Sequence, residues 1–229
     1  MAKLKFTAIV ADMRGKLNGS VFSKNRAGAY MRTKVTPVNR QTTSQAEVRN
    51  RLATFSQGWR GLLAAEIASW NAAVDQFKKT DIFGDIKTPS GINLYVKLNA
   101  NLDRVSVAAI TLPPLPEAVP AVTALSGAAA DGANTFTVAY APTPVPADTA
   151  FVISATKQVS PGRSFVGGQY TDILVADAAA VSPANVHAAY VAKYGSVIAG
   201  QKIGIKIQAI NKITGQAGIP ITAMVTVAA

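Results

Sequence analysis

The spacing of apolar residues changes once along the chain, and that change limits the fold more than any other feature. Over residues 44–104 they recur every three or four positions, and from Val122 onwards they fall in short, often alternating runs. The first spacing suits helices with one buried face, the second half-buried strands. Helices followed by strands predict an α+β multidomain chain. Val48, Leu52, Phe55, Trp59 and Leu62 form one stripe, opened by Ser44-Gln-Ala-Glu47, which fits a capping box. Leu63, Ile67, Trp70, Val74 and Phe77 form a second, with Gly58 and Gly61 at the change. The second begins one residue late, which turns the stripe by about 100°. Two helices packed face to face are expected, or one sharply kinked helix. A third helix over 90–104 would turn Ile92, Tyr95, Leu98 and Leu102 inward. These aromatics and the two tryptophans read as core rather than as cofactor stacking.

Runs at 122–125, 134–140, 149–156, 170–175, 186–194, 202–210 and 219–227 are separated mostly by Gly, Pro, Asn and Asp. About seven short strands at such spacing predict an antiparallel β-sandwich. Ile203, Ile205, Ile207 and Ala209 alternate with Gly204, Lys206 and Gln208, which gives one buried and one wet face. Asn211-Lys-Ile-Thr-Gly-Gln-Ala-Gly218 reads as the turn of a closing hairpin. Residues 177–193, with Ser182-Pro183 as a start, are an alternative short helix. Leu112-Pro-Pro-Leu-Pro-Glu-Ala-Val-Pro120 holds four prolines in nine residues, a density that favours an extended spacer. The expected division is an extended basic arm at 1–44, a helical domain at 45–111, a proline-rich linker at 112–120 and a sandwich at 121–229.

The arm has no sustained helical period. Residues 20–26 and 29–35 alternate loosely around Asn25-Arg26-Ala27-Gly28, a hairpin turn with Gly28 free to take positive φ. Asn18-Gly19 reads as a further turn. Phe6, Ile9, Val10, Val21, Phe22, Tyr30, Met31, Val35 and Val38 are too few for an independent core, and a lone hairpin is marginal in water. A disordered basic leader is the alternative. The hairpin signal and the positions of Val21, Phe22 and Tyr30 favour an arm that orders on a partner.

Charge is concentrated in the same place. The chain has 23 Lys and Arg against 12 Asp and Glu, a net of +11, and residues 1–60 alone reach +10. Residues 113–229 carry +1. Such a balance points to nucleic acid, a membrane surface or an acidic protein face. Cys is absent, which excludes disulfides, thiolate zinc sites and cysteine nucleophiles. His187 is the only histidine, in an Ala- and Val-rich segment, and reads as a satisfied surface or core residue. Asp81 and Asp85 read as loop caps rather than as a cation site. The glycines match no phosphate loop. The expectation is a protein that is not an enzyme, with no catalytic residues, metal or cofactor. No run approaches the ~18 apolar residues of a membrane span, and the start lacks the pattern of a secretory signal.

One pattern carries a likeness. Gly15-Lys-Leu-Asn-Gly-Ser-Val-Phe-Ser-Lys-Asn-Arg-Ala-Gly-Ala-Tyr-Met-Arg32 leads into Lys34-Val-Thr-Pro-Val-Asn39, Thr42, Gln45 and Arg49, then Ser56, Trp59-Arg60 and Trp70-Asn71. This resembles the N-terminal segment of virion structural proteins of tailed bacteriophages, in particular the auxiliary, or decoration, capsid proteins of crAss-like phages. Arg40 departs from it, standing where that pattern would carry proline. The resemblance implies an immunoglobulin-like form for the sandwich, and a late structural protein of the virion, assembled in the bacterial host cytoplasm and present in many copies per particle. Its partners would be the major capsid protein and neighbouring virion proteins, with the shell bound through the basic arm and helices and decorated or stabilised by the chain. Phe22, Tyr30 and Val35 are then the expected apolar anchors, and Arg26, Arg32, Lys34 and Arg40 the cations that meet shell carboxylates. The rival readings are a nucleic-acid-binding protein of the genome-packaging or ribosomal kind, and a phage tail or connector component.

Overall fold

The computed structural model describes residues 2–5, 10, 12–26, 28–38 and 41–229. The chain is mixed α+β, mostly sheet, and divides into two compact units. One holds residues 1–50 and 79–87, the other 51–78 and 88–229.

The first unit is a four-stranded antiparallel sheet. Its strands are β1 (Ala2–Leu4), β2 (Gly15–Leu17), β3 (Ser20–Asn25) and β4 (Gly28–Thr33), in the order β1-β4-β3-β2. Two tight turns set its register. Asn25 pairs with Gly28, whose φ of +109° suits a residue without Cβ. Leu17 pairs with Ser20 across Asn18, which takes φ +49°, a region asparagine tolerates. The expected hairpin therefore lies inside a larger sheet. A second hairpin, β5 (Lys79–Thr80) and β6 (Ile86–Lys87), belongs to this unit. No apolar side chain described in the unit is buried, in keeping with its shortage of large apolar residues.

The second unit contains helices and a large sheet. The chain enters it within α1 (Thr43–Gly61) and continues through α2 (Ala64–Ala73), a 3₁₀ turn (Val74–Phe77) and α3 (Gly91–Arg104). The α1 cap is Thr42 rather than Ser44. Its hydroxyl accepts the Gln45 N–H at 3.3 Å, because Thr42-x-x-Gln45 repeats the cap signature two residues earlier. The chain breaks between α1 and α2 where the Leu63 N–H donates to the Glu66 carboxylate at 2.8 Å. Phe55 of α1, Trp70 of α2 and Leu94, Tyr95 and Leu98 of α3 share one core, with the Trp70 ring edge-on to Tyr95 at 5.4 Å. Val48, Leu52 and Leu63, expected to face inward, are exposed. A helical period names a face but not its cover.

The sheet comprises β7 (Ala124–Ala130), β8 (Thr135–Ala141), β9 (Thr149–Ala155), β10 (Thr171–Ala176), β11 (Ala184–Asn185), β12 (Lys202–Asn211) and β13 (Ile221–Ala228). Their order is β10-β9-β12-β13-β7-β8-β11, antiparallel except for β13 beside β7. Both halves line one core: Tyr140 of β8 meets Phe151 of β9 at 5.5 Å, edge to face. Gly127 permits this approach, since a Cβ there would come within 2.7 Å of Val225. Residues 187–194, expected as part of a strand or of the alternative helix over 177–193, form a helix, α4 (His187–Tyr194), which starts later than Ser182-Pro183 and buries Tyr190 against Phe136. In so short an Ala-rich run the strand and helix patterns are not separable, and packing decides.

Every residue of β9 is buried because both its faces are covered. Phe151, Ile153 and Ala155 enter the main core, while Ala150 and Val152 meet Val105 and Ile210 on the other side. A clasp reinforces that second contact. The Arg104 guanidinium donates to both Asp172 oxygens, at 2.9 and 3.1 Å, and the Ser154 hydroxyl donates to the same carboxylate at 2.8 Å. Burial opposes ionisation of Asp172, but Arg104 and Ser154 outweigh it and hold the carboxyl below its ordinary range.

The compact units therefore do not divide at 112–120. The proline segment is strapped to the large sheet: the Glu117 N–H donates to Gln216 Oε1 at 3.1 Å, and Gln216 Nε2 donates to the Leu115 carbonyl at 2.8 Å. His187 also departs from expectation. Its Nε2 is buried with no hydrogen-bond partner among the described residues.

Candidate protein-binding surface

The expected binding residues fall in the first unit, and the sheet register sorts them. Side chains alternate across a strand, so residues opposite one another share a face. Phe22 lies opposite Met31, with Ala2 beyond it on β1 and Gly15 on β2. This is the more apolar face. The other carries Tyr30, flanked by Lys3 and Ser23, and a row of Lys16, Val21 and Arg32. The ladder runs on past β4 through a bond from the Lys34 N–H to the Gly19 carbonyl at 2.8 Å. That bond keeps Lys34 on the side of Arg32.

Phe22 and Tyr30 are thus on opposite faces, and both are half-buried. Val35 lies beyond the ladder and is 65% exposed. The structure does not bring these three together as one apolar anchor. Arg26 sits in the turn between β3 and β4, exposed. Arg32 and Lys34 do share a face, with Tyr30. Arg40, like Phe6 and Ile9, lies outside the described residues.

Lys16, Lys3 of β1 and Lys5 just beyond it were not singled out by the sequence. Lys3 Nζ lies 3.2 Å from Asp81 Oδ2, and Lys5 Nζ 3.0 Å from Asp85 Oδ1. The partners are 78 and 80 residues apart, a distance over which no local pattern operates. Asp81 also closes its own turn, as a loop cap would: Oδ1 accepts the N–H of Phe83 at 2.8 Å and of Asp85 at 3.1 Å. Burial would raise the Asp81 carboxyl, but the Phe83 N–H, the Lys3 ammonium and the Asp85 N–H together hold it below the usual carboxylate range. The Phe83 ring lies 5.7 Å from Lys5 Nζ.

Cations on this unit therefore divide by partner. Lys3, Lys5 and Lys87 lie within 4 Å of Asp81 or Asp85, and Arg14 pairs with Asp12. Lys16, Lys24, Arg26, Arg32, Lys34 and Lys79 have no carboxylate partner among the described residues. The unit carries 12 Lys and Arg against 4 Asp and Glu, a net of +8. Lys16, Arg32 and Lys34 share one face, which can take carboxylates or phosphates, with the Arg32 guanidinium able to engage two oxygens at once.

No family model matches the chain, and no curated protein matches it. Among solved structures it is similar to a Fn3-like protein from Clostridium thermocellum. The identity is 18%, over 49% of this chain and 97% of that one, with a TM-score of 0.33.

Proposed function

We propose that the chain is a structural protein of a tailed-bacteriophage virion, not an enzyme, which attaches to the capsid shell through its basic N-terminal unit and displays an immunoglobulin-like β-sandwich. The observation that carries the attachment is the first unit's combination, among the described residues, of six cations without carboxylate partners and a sheet that buries no apolar side chain of its own. Such a sheet gains little from its own folding and much from being covered. A shell of identical subunits repeats one acidic cover many times. The strand order supports the immunoglobulin-like reading: β7, β8 and β11 on one side, β10, β9, β12 and β13 on the other, and the first strand beside the last.

Sedimentation of the purified chain with nuclease-treated, genome-free shells tests this reading. Binding is expected to persist at about 200 mM salt, because apolar contact survives where screened rim pairs weaken. Binding to duplex DNA is expected to be weak, and to fall steeply with salt as counterions are released. Shells that fail to bind, beside DNA that binds with a single charge-dependent affinity, would replace the capsid reading with the nucleic-acid one.

A further inference from the structure

The N-terminal sheet already holds one acidic turn of its own chain, and that contact indicates what the rest of the same face takes. Lys3 of β1 and Lys5, the residue just past its end, receive Asp81 and Asp85, two carboxylates four residues apart. Between them Phe83 lies against the Lys5 ammonium. Further across this face, Lys16 and Arg32 flank Val21 in a single row, and Lys34 follows Arg32. Neighbouring strands are about 4.8 Å apart, so the two outer Cα atoms of that row lie roughly 10 Å apart. The row reads cation, apolar, cation, the complement of acid, apolar, acid.

We infer that Lys16, Arg32 and Lys34, around Val21, form the docking site for an acidic turn of the shell subunit, with two carboxylates bracketing an apolar residue. This rests on the capsid reading and names the chemistry of its contact. A phosphate backbone would satisfy the cations but leave Val21 against solvated charge, whereas a protein turn covers both. Phe22, on the opposite face, is outside this contact. So is the β1 end of the face, whose lysines are already neutralised.

A zero-length carbodiimide cross-linker joins a lysine directly to a carboxylate, so it reads these pairs on the full chain bound to genome-free shells. Lys16 and Lys34 are expected to link to Asp or Glu of the shell protein, while Lys3 and Lys5 link to Asp81 and Asp85 of their own chain. The charge-reversed variant K16E/R32E/K34E should lose shell binding by roughly tenfold or more, since like charges face one another. K24E, on the other face, should bind within about twofold of the unmodified chain. Shells bound with Lys16 and Lys34 unlinked, or linked only to a second copy's Asp81 or Asp85, overturn the inference and leave the capsid reading standing. Equal loss of binding in K24E also overturns it. Absence of shell binding by the unmodified chain overturns both.

Discussion

The two units of this chain are stabilised by different means. The larger, of 170 residues, carries a net charge of +3 and holds all of the buried apolar side chains among the described residues; the smaller, of 59, carries +8 and holds none. In the larger, strands such as β9 are covered on both faces, so each big side chain adds about 1.5–3 kcal/mol by leaving water. In the smaller, stability rests on ladder hydrogen bonds, half-buried side chains and ion pairs such as Lys5–Asp85 that stay in contact with solvent. Exposed pairs contribute at most about 1 kcal/mol each. A sheet held that way is close to neutral by itself and responds strongly to what it meets.

The contrast is sharpest under truncation. Phe151→Ala in the large sheet should cost about 3–5 kcal/mol in denaturant unfolding, whereas Phe22→Ala in the small sheet should cost less than about 1 kcal/mol. Similar losses at the two positions would break the comparison. Next in size is Gly215→Ala, at roughly 2 kcal/mol or more: its φ is +68°, and a Cβ there would run into the Leu98 carbonyl of α3. A neutral result would show that α3 is free to move away from the sheet.

Asp172→Asn is expected to cost only about 1 kcal/mol at pH 7, because the side chain is 40% exposed and water screens the pair. The folded-state carboxyl lies below its unfolded value near 3.9. Its contribution is therefore present above about pH 4 and is lost as pH falls through the folded value. The variant and the unmodified chain should converge in thermal stability once pH has fallen through that lowered value, and a gap that stays undiminished throughout acid titration would show that the clasp does not stabilise the fold. The smallest effect is expected from salt: between about 50 and 500 mM, hydrogen exchange in β1 and the β5–β6 hairpin should quicken, while β9 and β12 stay unchanged.

How much of this was legible depended on the range of the interaction. α3 could be read because Tyr95, Leu98 and Leu102 repeat along one face that is in fact covered. The Asn25–Gly28 turn was legible because its chemistry is complete within four residues. Val48 and Leu52 misled for the reason α3 did not, since the same period appears where nothing among the described residues buries it. The cations could be counted but not sorted, because Lys3 finds Asp81 only through the fold. The proline segment was read by its stiffness alone. Its attachment depends on Gln216, about a hundred residues further on, which no local pattern reports.

That attachment changes what the segment is in mechanical terms. Four prolines with free ends would make a tether, along which a terminal domain samples a cone of directions. Here one end is pinned where the Thr111 carbonyl accepts the Trp70 indole N–H at 2.6 Å and the Ile110 N–H meets Asn99 Oδ1 at 2.7 Å. Further along, Glu117 accepts from Asn211 Nδ2 at 3.0 Å. Fixed at both points, Pro113, Pro114 and Pro116 between them act as a bracket that transmits torque, so that a twist applied to the helices turns the large sheet with them instead of being taken up by a swivel.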